Sequence, residues 1–189
     1  MNLNFVIVGV GGQGTLLASR LLGALADELG VEMKVSEVHG MSQRGGSVIT
    51  CVRMGHDIAS PIVDEGGADY VIAFEQLEAL RALPYLKEGG TLITNTGTIL
   101  PMPVIIGAAQ YPAEIIEKLN SLCKLIALDA TQKATDAGEP RAVNLVLMGV
   151  LSKLMDVDQA KWMRAIDACV PERFRAANLK AFEAGVNAL

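Results

Sequence analysis

The sequence is short of the residues that carry redox and metal chemistry in proteins. Its 189 residues include only 3 cysteines, Cys51, Cys123 and Cys169, and these lie far apart along the chain. Iron–sulfur clusters and structural zinc ions are held by closely spaced pairs such as C-x-x-C, and no such pair occurs. We therefore expect no metal ligands on this chain, and mostly buried, reduced thiols in a reducing compartment.

Aromatic residues, basic stretches and long apolar runs are also scarce. Aromatic residues make up 4% of a chain that is 51% hydrophobic, so its core must be aliphatic. No segment reaches the roughly 18 apolar residues of a membrane helix, and a strand-like segment starts at Leu3 with no basic leader before it. The net charge is −5 and no basic stripe is present, which disfavours nucleic acid as a partner. We expect a cytoplasmic protein that binds neither nucleic acid nor a membrane.

Acid–base and nucleophilic groups offer no recognisable catalytic set. The chain has 2 histidines, His39 and His56, and neither can be placed in a Ser-His-Asp or Cys-His arrangement. No carboxylate pair with an acid and a base role stands out. We predict no catalytic residue on this chain and expect it to bind ligands or partners.

Short apolar segments alternate with amphipathic ones, which is typical of an α/β protein. Residues 3–8 form an apolar run that predicts a buried strand, and leucines at every fourth position predict a helix over 13–29. A strand over 31–38 completes a β-α-β unit, which predicts a parallel pair. Residues 47–53 and 58–62 are interpreted as two antiparallel strands joined by a turn.

Strands and helices continue to alternate as far as residue 140, and the rest of the chain is predicted to be all-helical. Further strands are predicted at 69–74, 91–94 and 124–128, and helices at 76–83, 113–122, 142–155, 158–168 and 172–188. The chain is therefore predicted to be a Rossmann-like, mostly parallel sheet flanked by helices, with a helical C-terminal segment. We expect a single domain over 1–189, with the α/β core in 1–140 and the helical part in 141–189.

The first candidate site is the glycine-rich turn after the first strand. It contains Gly9, Gly11, Gly12, Gln13 and Gly14 in a G-x-G-x-x-G pattern that leads into a helix. The glycines allow a ligand to approach the backbone closely, and the helix N-terminus offers free N–H groups to a phosphate or carboxylate. A tight turn without a ligand is the alternative, but the strand–helix context favours anion binding.

Dinucleotide binding is a separate interpretation of that turn. It requires an acidic residue near the end of the second strand, where Glu37 stands. A solvated carboxylate explains Glu37 equally well, because the strand continues into a polar loop instead of turning toward a helix. His39 in this loop is more typical of a hydrogen-bonding group than of a catalyst.

The second candidate site is the loop that contains Ser42, Gln43, Arg44, Gly45 and Gly46. Glycines let backbone N–H groups converge on an anion, and an arginine can donate two hydrogen bonds to a phosphate or carboxylate. Pairing of the arginine with a carboxylate on a neighbouring chain is an alternative. Under either interpretation the loop binds a ligand or a partner and is not an ordinary exposed connection.

A third group of polar residues follows later strands at the same predicted edge of the sheet. Asn95 and Thr96 come directly after a strand, and Glu75 ends another. Ligands of open α/β sheets bind beyond the carboxyl ends of the strands. Asn95 and Thr96 therefore join the candidate cofactor-binding residues.

Several segments together resemble one protein family in order along nearly the whole chain. They are GVGGQGTLLASRLL (9–22), KVSEVHGMSQRGGSV (34–48), ADYVIAFEQLEALR (68–81), LPYLKEGGTLITNT (83–96) and RAVNLVLMG (141–149). The chain resembles the gamma-subunit family of 2-oxoacid:ferredoxin oxidoreductases, and within it the small subunits of the enzymes that act on indolepyruvate. The GMSQRGG loop is the most specific of these segments.

The resemblance implies a division of labour within a heteromeric complex. Such enzymes decarboxylate a 2-oxoacid oxidatively, form an acyl-CoA and reduce ferredoxin, with thiamine diphosphate and 4Fe-4S clusters on large partner subunits. The gamma-type subunit is implied to pack against the thiamine-binding parts, to support assembly and to bind coenzyme A. Because this chain has no cysteine cluster, we expect it to be inactive alone, and a homodimer of the isolated chain is a further expectation. The alternative is a free-standing dehydrogenase that binds NAD through the first glycine-rich turn.

Overall fold

A six-stranded mixed sheet forms the centre of the protein in the computed structural model, which describes residues 2–40 and 46–189. The strands follow the order β2-β3-β1-β4-β5-β6 across the sheet. β1, β4, β5 and β6 are parallel neighbours, whereas β3 is antiparallel to both β1 and β2. The strand bounds are β1 (Leu3–Val10), β2 (Glu32–His39), β3 (Ser47–Gly55), β4 (Ala68–Ala73), β5 (Leu86–Asn95) and β6 (Lys124–Leu128).

Helices cover both faces of this sheet. Their bounds are α1 (Thr15–Leu29), α2 (Gln76–Ala82), α3 (Met102–Ile105), α4 (Ile115–Leu122), α5 (Ala130–Asp136), α6 (Val143–Leu154), α7 (Gln159–Cys169) and α8 (Glu172–Val186). The predicted Rossmann-like fold class, with its helical C-terminal segment, is confirmed. None of the described helices is both long and apolar enough to cross a membrane.

The predicted direct pairing of the first two strands is wrong. β1 and β2 point the same way, but β3 lies between them and pairs with β1 from Leu3↔Met54 to Val10↔Ser47. Most of β3 is buried, whereas no residue of β2 is fully buried. The more apolar strand therefore takes the interior position, and β2 becomes the edge of the sheet.

The predicted strand over 58–62 is absent from the described structure. β3 already has a neighbour on each side, so it offers no free edge for this segment to join. Side chains hold the segment instead: Arg53 donates to the Ser60 carbonyl at 3.3 Å and Lys34 to the Ala59 carbonyl at 3.4 Å.

Two apolar clusters occupy the two faces of the sheet. On one face, α1 and α5–α8 pack around buried residues that include Phe5, Leu22, Trp162 and Phe182. On the other face, α2 and α4 cover a smaller cluster that includes Val71. α6 is buried almost all round, as its apolar sequence predicts.

α6 and α8 approach so closely that glycine is required at their contact. A Cβ atom added to Gly149 would lie 2.1 Å from the Phe182 carbonyl oxygen and 2.9 Å from the Val186 nitrogen. Both obstacles are backbone atoms, so a larger residue would force the helices apart. The C-terminal helices are thereby fixed against the face of the sheet that also carries α1.

Candidate functional site

The glycine-rich turn from Gly9 to Gly14 is closed by the side chain of Gln13. Its Oε1 accepts from the Val10 N–H at 2.7 Å, and its Nε2 donates to the Phe74 carbonyl at 3.1 Å. One amide thus closes the turn and ties it to the end of β4. Both ends of the Gln13 side chain are engaged within the chain, so the structure places it as a support of the turn.

The N-terminus of α1 presents its backbone to the edge of the sheet. Gly14 caps this helix in the left-handed conformation with φ 89°, and as a glycine it offers no side chain that could accept a capping hydrogen bond. The first N–H groups of a helix have no partner within the helix and favour an anion. The first turn of α1 also contains no acidic residue that would repel one.

The described end of the second glycine-rich loop is joined directly to the first. The Gly11 N–H donates to the Gly46 carbonyl at 2.9 Å, and Val10 pairs with Ser47 across β1 and β3. The predicted binding residues Ser42, Gln43, Arg44 and Gly45 lie outside the described residues. The structure therefore brings the predicted residue Gly46 against the first turn.

A cleft of about 380 Å³ opens beside these two loops. It is lined by glycines of the turn, the first turn of α1 and the end of β2, where Glu37 and His39 stand. The Glu37 carboxylate accepts from the Thr50 hydroxyl at 3.3 Å. The His39 Nδ1 lies 3.3 Å from the Gly40 carbonyl oxygen. This side of the turn therefore carries a carboxylate and an imidazole.

A second recess of about 330 Å³ lies against the same turn and carries the positive charge of Arg141, a residue that sequence patterns did not predict for the site. It is lined by Gly12, Gly14, Pro140 and Arg141, among others. The Arg141 side chain is 83% exposed and forms an ion pair with Glu139 at 3.2 Å. Its position just before α6 in the RAVN segment was the available signal, but only the folded chain brings it to the turn.

Asn95 and Thr96 hold the ends of three strands together. Asn95 is 3% exposed, donates to the Phe74 carbonyl and the Thr131 hydroxyl at 3.1 Å each, and accepts from the Ala130 N–H at 3.0 Å. The Thr96 N–H donates to the Leu128 carbonyl at 3.0 Å. These contacts place Asn95 in the support of the edge rather than on its open surface.

A buried carboxylate organises the chain that follows β4. Glu75 is 1% exposed and accepts from the N–H groups of Leu77 at 2.7 Å, Glu78 at 3.0 Å and Ile99 at 3.3 Å, and from the Tyr111 hydroxyl. Burial and this hydrogen bond raise the pKa of Tyr111 well above its ordinary value. The phenol therefore stays protonated and continues to donate.

Glu78 anchors the start of β3, directly after the second loop. It accepts from the Ser47 hydroxyl and pairs with Arg81 at 2.5 Å, while only 4% of the residue is exposed. Sequence patterns gave no sign of this contact, because Ser47 and Glu78 belong to different elements. The carboxylate thereby ties the start of β3 to α2.

The three cysteines form neither a disulfide nor a metal site within the described part of the chain. All three are free thiols, and Cys51 is buried. Burial raises the pKa of the Cys123 and Cys169 thiols, so the reactive thiolate is less populated than in an exposed cysteine. Among the residues that the structure describes, no cluster of histidine, cysteine and carboxylate groups could hold a metal ion.

The fold and this edge define an α/β protein that presents a glycine-rich turn and an uncapped helix N-terminus beyond a largely parallel sheet. The family model for pyruvate ferredoxin/flavodoxin oxidoreductase matches residues 4–188. The chain belongs to this family.

Similar proteins match over nearly the whole chain. The indolepyruvate oxidoreductase subunit IorB of Thermococcus kodakarensis is 42% identical over 193 residues, which cover 98% of this chain and 95% of that protein. The keto/oxoacid ferredoxin oxidoreductase gamma subunit of Geobacter sulfurreducens has a similar fold, with a TM-score of 0.72, 24% identity and coverage of 98% and 97% of the two chains.

A longer protein contains the same fold as one part of its chain. The 2-oxoglutarate:ferredoxin oxidoreductase of Magnetococcus marinus, solved with 2-oxoglutarate, coenzyme A and succinyl-CoA bound, matches with a TM-score of 0.74 at 20% identity. The match covers 99% of this chain and 31% of that one. At 20% identity, this similarity shows that the two proteins share a fold and no more than that.

Proposed function

We propose that this chain is the small, gamma-type subunit of a 2-oxoacid:ferredoxin oxidoreductase that acts on indolepyruvate or a related 2-oxoacid. The complex would decarboxylate the 2-oxoacid oxidatively, transfer the acyl group to coenzyme A and pass the electrons to ferredoxin. The family match over residues 4–188 and the 42% identity to an indolepyruvate oxidoreductase subunit support this proposal.

The catalytic cofactors belong, in this proposal, to the partner subunits. The described part of this chain offers three separate free thiols and no grouped metal ligands, which does not fit a 4Fe-4S cluster. We therefore assign the clusters to one or more large subunits and place no chemical step on this chain. Thiamine diphosphate is assigned to the same subunits on the family resemblance. A cytoplasmic location stays a prediction.

We infer that this chain contributes a binding surface for coenzyme A. The observation that carries the inference is the uncapped N-terminus of α1 next to a glycine-rich turn that is joined to Gly46. Backbone N–H groups in this arrangement can donate to the pyrophosphate oxygens of a nucleotide. Gly11, Gly12 and Gly14 line the cleft and allow the approach, whereas Gly9 is buried against Gln13 and Phe74 and supports the turn. The loop over 42–46 adds donors and the charge of Arg44 by its sequence.

Gln13, Asn95 and Thr96 have a different role in this proposal. All three residues form hydrogen bonds with other groups of this chain. These bonds hold the turn and the strand ends in place. Binding energy for the ligand would come from the backbone N–H groups and the cations. The three residues would act by positioning that backbone.

NAD binding is the competing function, and one observation favours it. Glu37 lines the same cleft as Gly11 and Gly12, at the end of β2, where a carboxylate could bind a ribose. However, the Thr50 hydroxyl already donates to Glu37, and β2 is an edge strand followed by a polar loop. Binding measurements with coenzyme A and with NAD distinguish the two functions.

The test is calorimetric titration of the complex with coenzyme A and with NAD, together with 2-oxoacid-dependent dye reduction. This chain would be co-expressed with its candidate large subunit, and each subunit alone would serve as the control. We expect activity only from the complex and tighter binding of coenzyme A than of NAD. Tight NAD binding without coenzyme A binding would instead favour the dehydrogenase.

A further inference from the structure

A groove of about 330 Å³ lies where α1, α6 and the start of α8 meet. We name it the Arg141–Arg173 groove after the two arginines in its lining. Leu17 and Phe174 supply apolar surface, and Asn178 supplies an amide. None of these residues was part of the site expected from the sequence.

The groove continues from the glycine-rich turn. Arg141 lines both the groove and the recess that contacts Gly12 and Gly14. Leu17 lies two residues beyond Thr15, the first residue of α1, which corresponds to about 3 Å along a helix axis. A ligand that lies on the helix N-terminus can therefore extend past Arg141 into the groove.

Arg173 is the cation of the groove that an anion can reach without displacing an ion-pair partner among the described residues. Arg173 stacks on the Phe174 ring, with its guanidinium carbon 4.5 Å from the ring centroid. Within the described part of the chain, no carboxylate lies at ion-pair distance from Arg173. Arg141 is paired with Glu139, whose carboxylate also lines the groove, yet the Arg141 side chain remains mostly exposed. The guanidinium of Arg173 is thus oriented by the ring and free to donate to a phosphate.

We propose that the Arg141–Arg173 groove binds the 3′-phosphoadenosine end of coenzyme A. Arg173, assisted by Arg141, holds the 3′-phosphate, and the adenine packs on the apolar surface of Leu17 and Phe174. The inference rests on the proposed binding of coenzyme A, whose pyrophosphate lies on the glycine-rich turn. It gives this chain a means of rejecting NAD, which lacks a phosphate at this ribose position.

The experiment compares coenzyme A with dephospho-coenzyme A, which differs only by the 3′-phosphate. Both are titrated calorimetrically into the assembled complex containing wild-type chain or Arg173→Gln. We expect the substitution to weaken coenzyme A by about ten- to hundredfold, since a charge-assisted hydrogen bond to phosphate is lost. The affinity for dephospho-coenzyme A should not change.

Lys180→Gln is the matched control. Lys180 is an exposed cation on the same helix, but it lines a different surface depression. It should alter neither affinity, which excludes a general effect of net charge. Arg173→Lys keeps the charge but loses the planar fork, so its affinity for coenzyme A should fall between wild type and Arg173→Gln.

Two results would overturn the proposal and can be distinguished. If Arg173→Gln weakens both ligands equally, or neither, the 3′-phosphate lies elsewhere while coenzyme A binding itself stands. If the wild-type complex binds no coenzyme A, the proposed function fails and the groove proposal fails with it. Melting curves of each variant show whether folding is intact, and Arg141→Gln provides a second, milder substitution in the same groove.

Discussion

Replacing Gln13 with alanine separates support of the glycine-rich turn from direct contact with a ligand. The substitution removes an acceptor from the Val10 N–H and a donor from the Phe74 carbonyl. Asn95 still donates to the Phe74 carbonyl, so that acceptor stays satisfied. The Val10 N–H is left without this partner in a residue that is 8% exposed. One buried donor is therefore orphaned.

The expected cost follows from that single group. An unsatisfied buried donor costs about 1–3 kcal/mol. For a protein of this size, each kcal/mol lowers the melting temperature by about 2–4 °C. We expect Gln13→Ala to melt roughly 2–12 °C below wild type in calorimetry. Coenzyme A binding to the complex should weaken as the turn loosens.

Gln132→Ala is the control, and Gln13→Glu sharpens the result. Gln132 is exposed and its amide contacts only Asp136, so its loss should change stability by roughly half a kcal/mol or less. Gln13→Glu keeps an acceptor for the Val10 N–H but replaces the donor to the Phe74 carbonyl with a second oxygen. Two acceptors then face each other, so this variant should be no more stable than Gln13→Ala. If Gln13→Ala melts like wild type and yet loses coenzyme A, Gln13 contacts the ligand and our account of the turn is refuted.

Three further predictions address packing, the second loop and the thiols. Gly149→Ala should destabilise the protein by about 1–3 kcal/mol or more in urea unfolding, because the added Cβ meets the Phe182 carbonyl. Gly40→Ala is the control and should not destabilise, since a Cβ there meets no atom of the described residues within 4 Å. Arg44→Ala should weaken coenzyme A binding or assembly by about ten- to hundredfold with little change in melting temperature. A sharply lower melting temperature with unchanged binding and assembly would show that the loop has a structural role. At pH 8, Cys123 and Cys169 should alkylate more slowly than a free cysteine peptide, because burial raises the pKa of both thiols. Equal rates would contradict that.

Local patterns predicted the elements whose signals lie within one segment. β6 occupies Lys124–Leu128 as expected, and α1 ends at Leu29 before Gly30, whose φ of 68° suits a C-terminal cap. The apolar sequence of α6 also predicted its deep burial. In contrast, α5 (Ala130–Asp136) was missed, because its sequence ATQKATD offers little apolar periodicity. Its start depends on Asp129, which caps the helix by accepting from the Gln132 N–H at 2.8 Å.

The sequence could not supply the parts of the site that depend on distant segments. The glycine-rich turn was recognisable from its own residues, but Arg141 reaches it only because α6 packs beside α1. Asn144 lies next to Gly14 in the fold, with its Nδ2 3.5 Å from the Gly14 carbonyl, although 130 positions separate them in sequence. The insertion of β3 between β1 and β2 likewise depends on which strand buries more surface across the whole sheet.

The Phe74 carbonyl connects the glycine-rich turn to the end of β5. It accepts from Gln13, which closes the glycine-rich turn, and from Asn95, which joins the ends of β5 and α5. Because one acceptor serves both amides, a shift of the β5 end also moves the anchor of the turn at α1. Asn95, although buried, therefore helps to set the position of the glycine-rich turn through the carbonyl that it shares with Gln13.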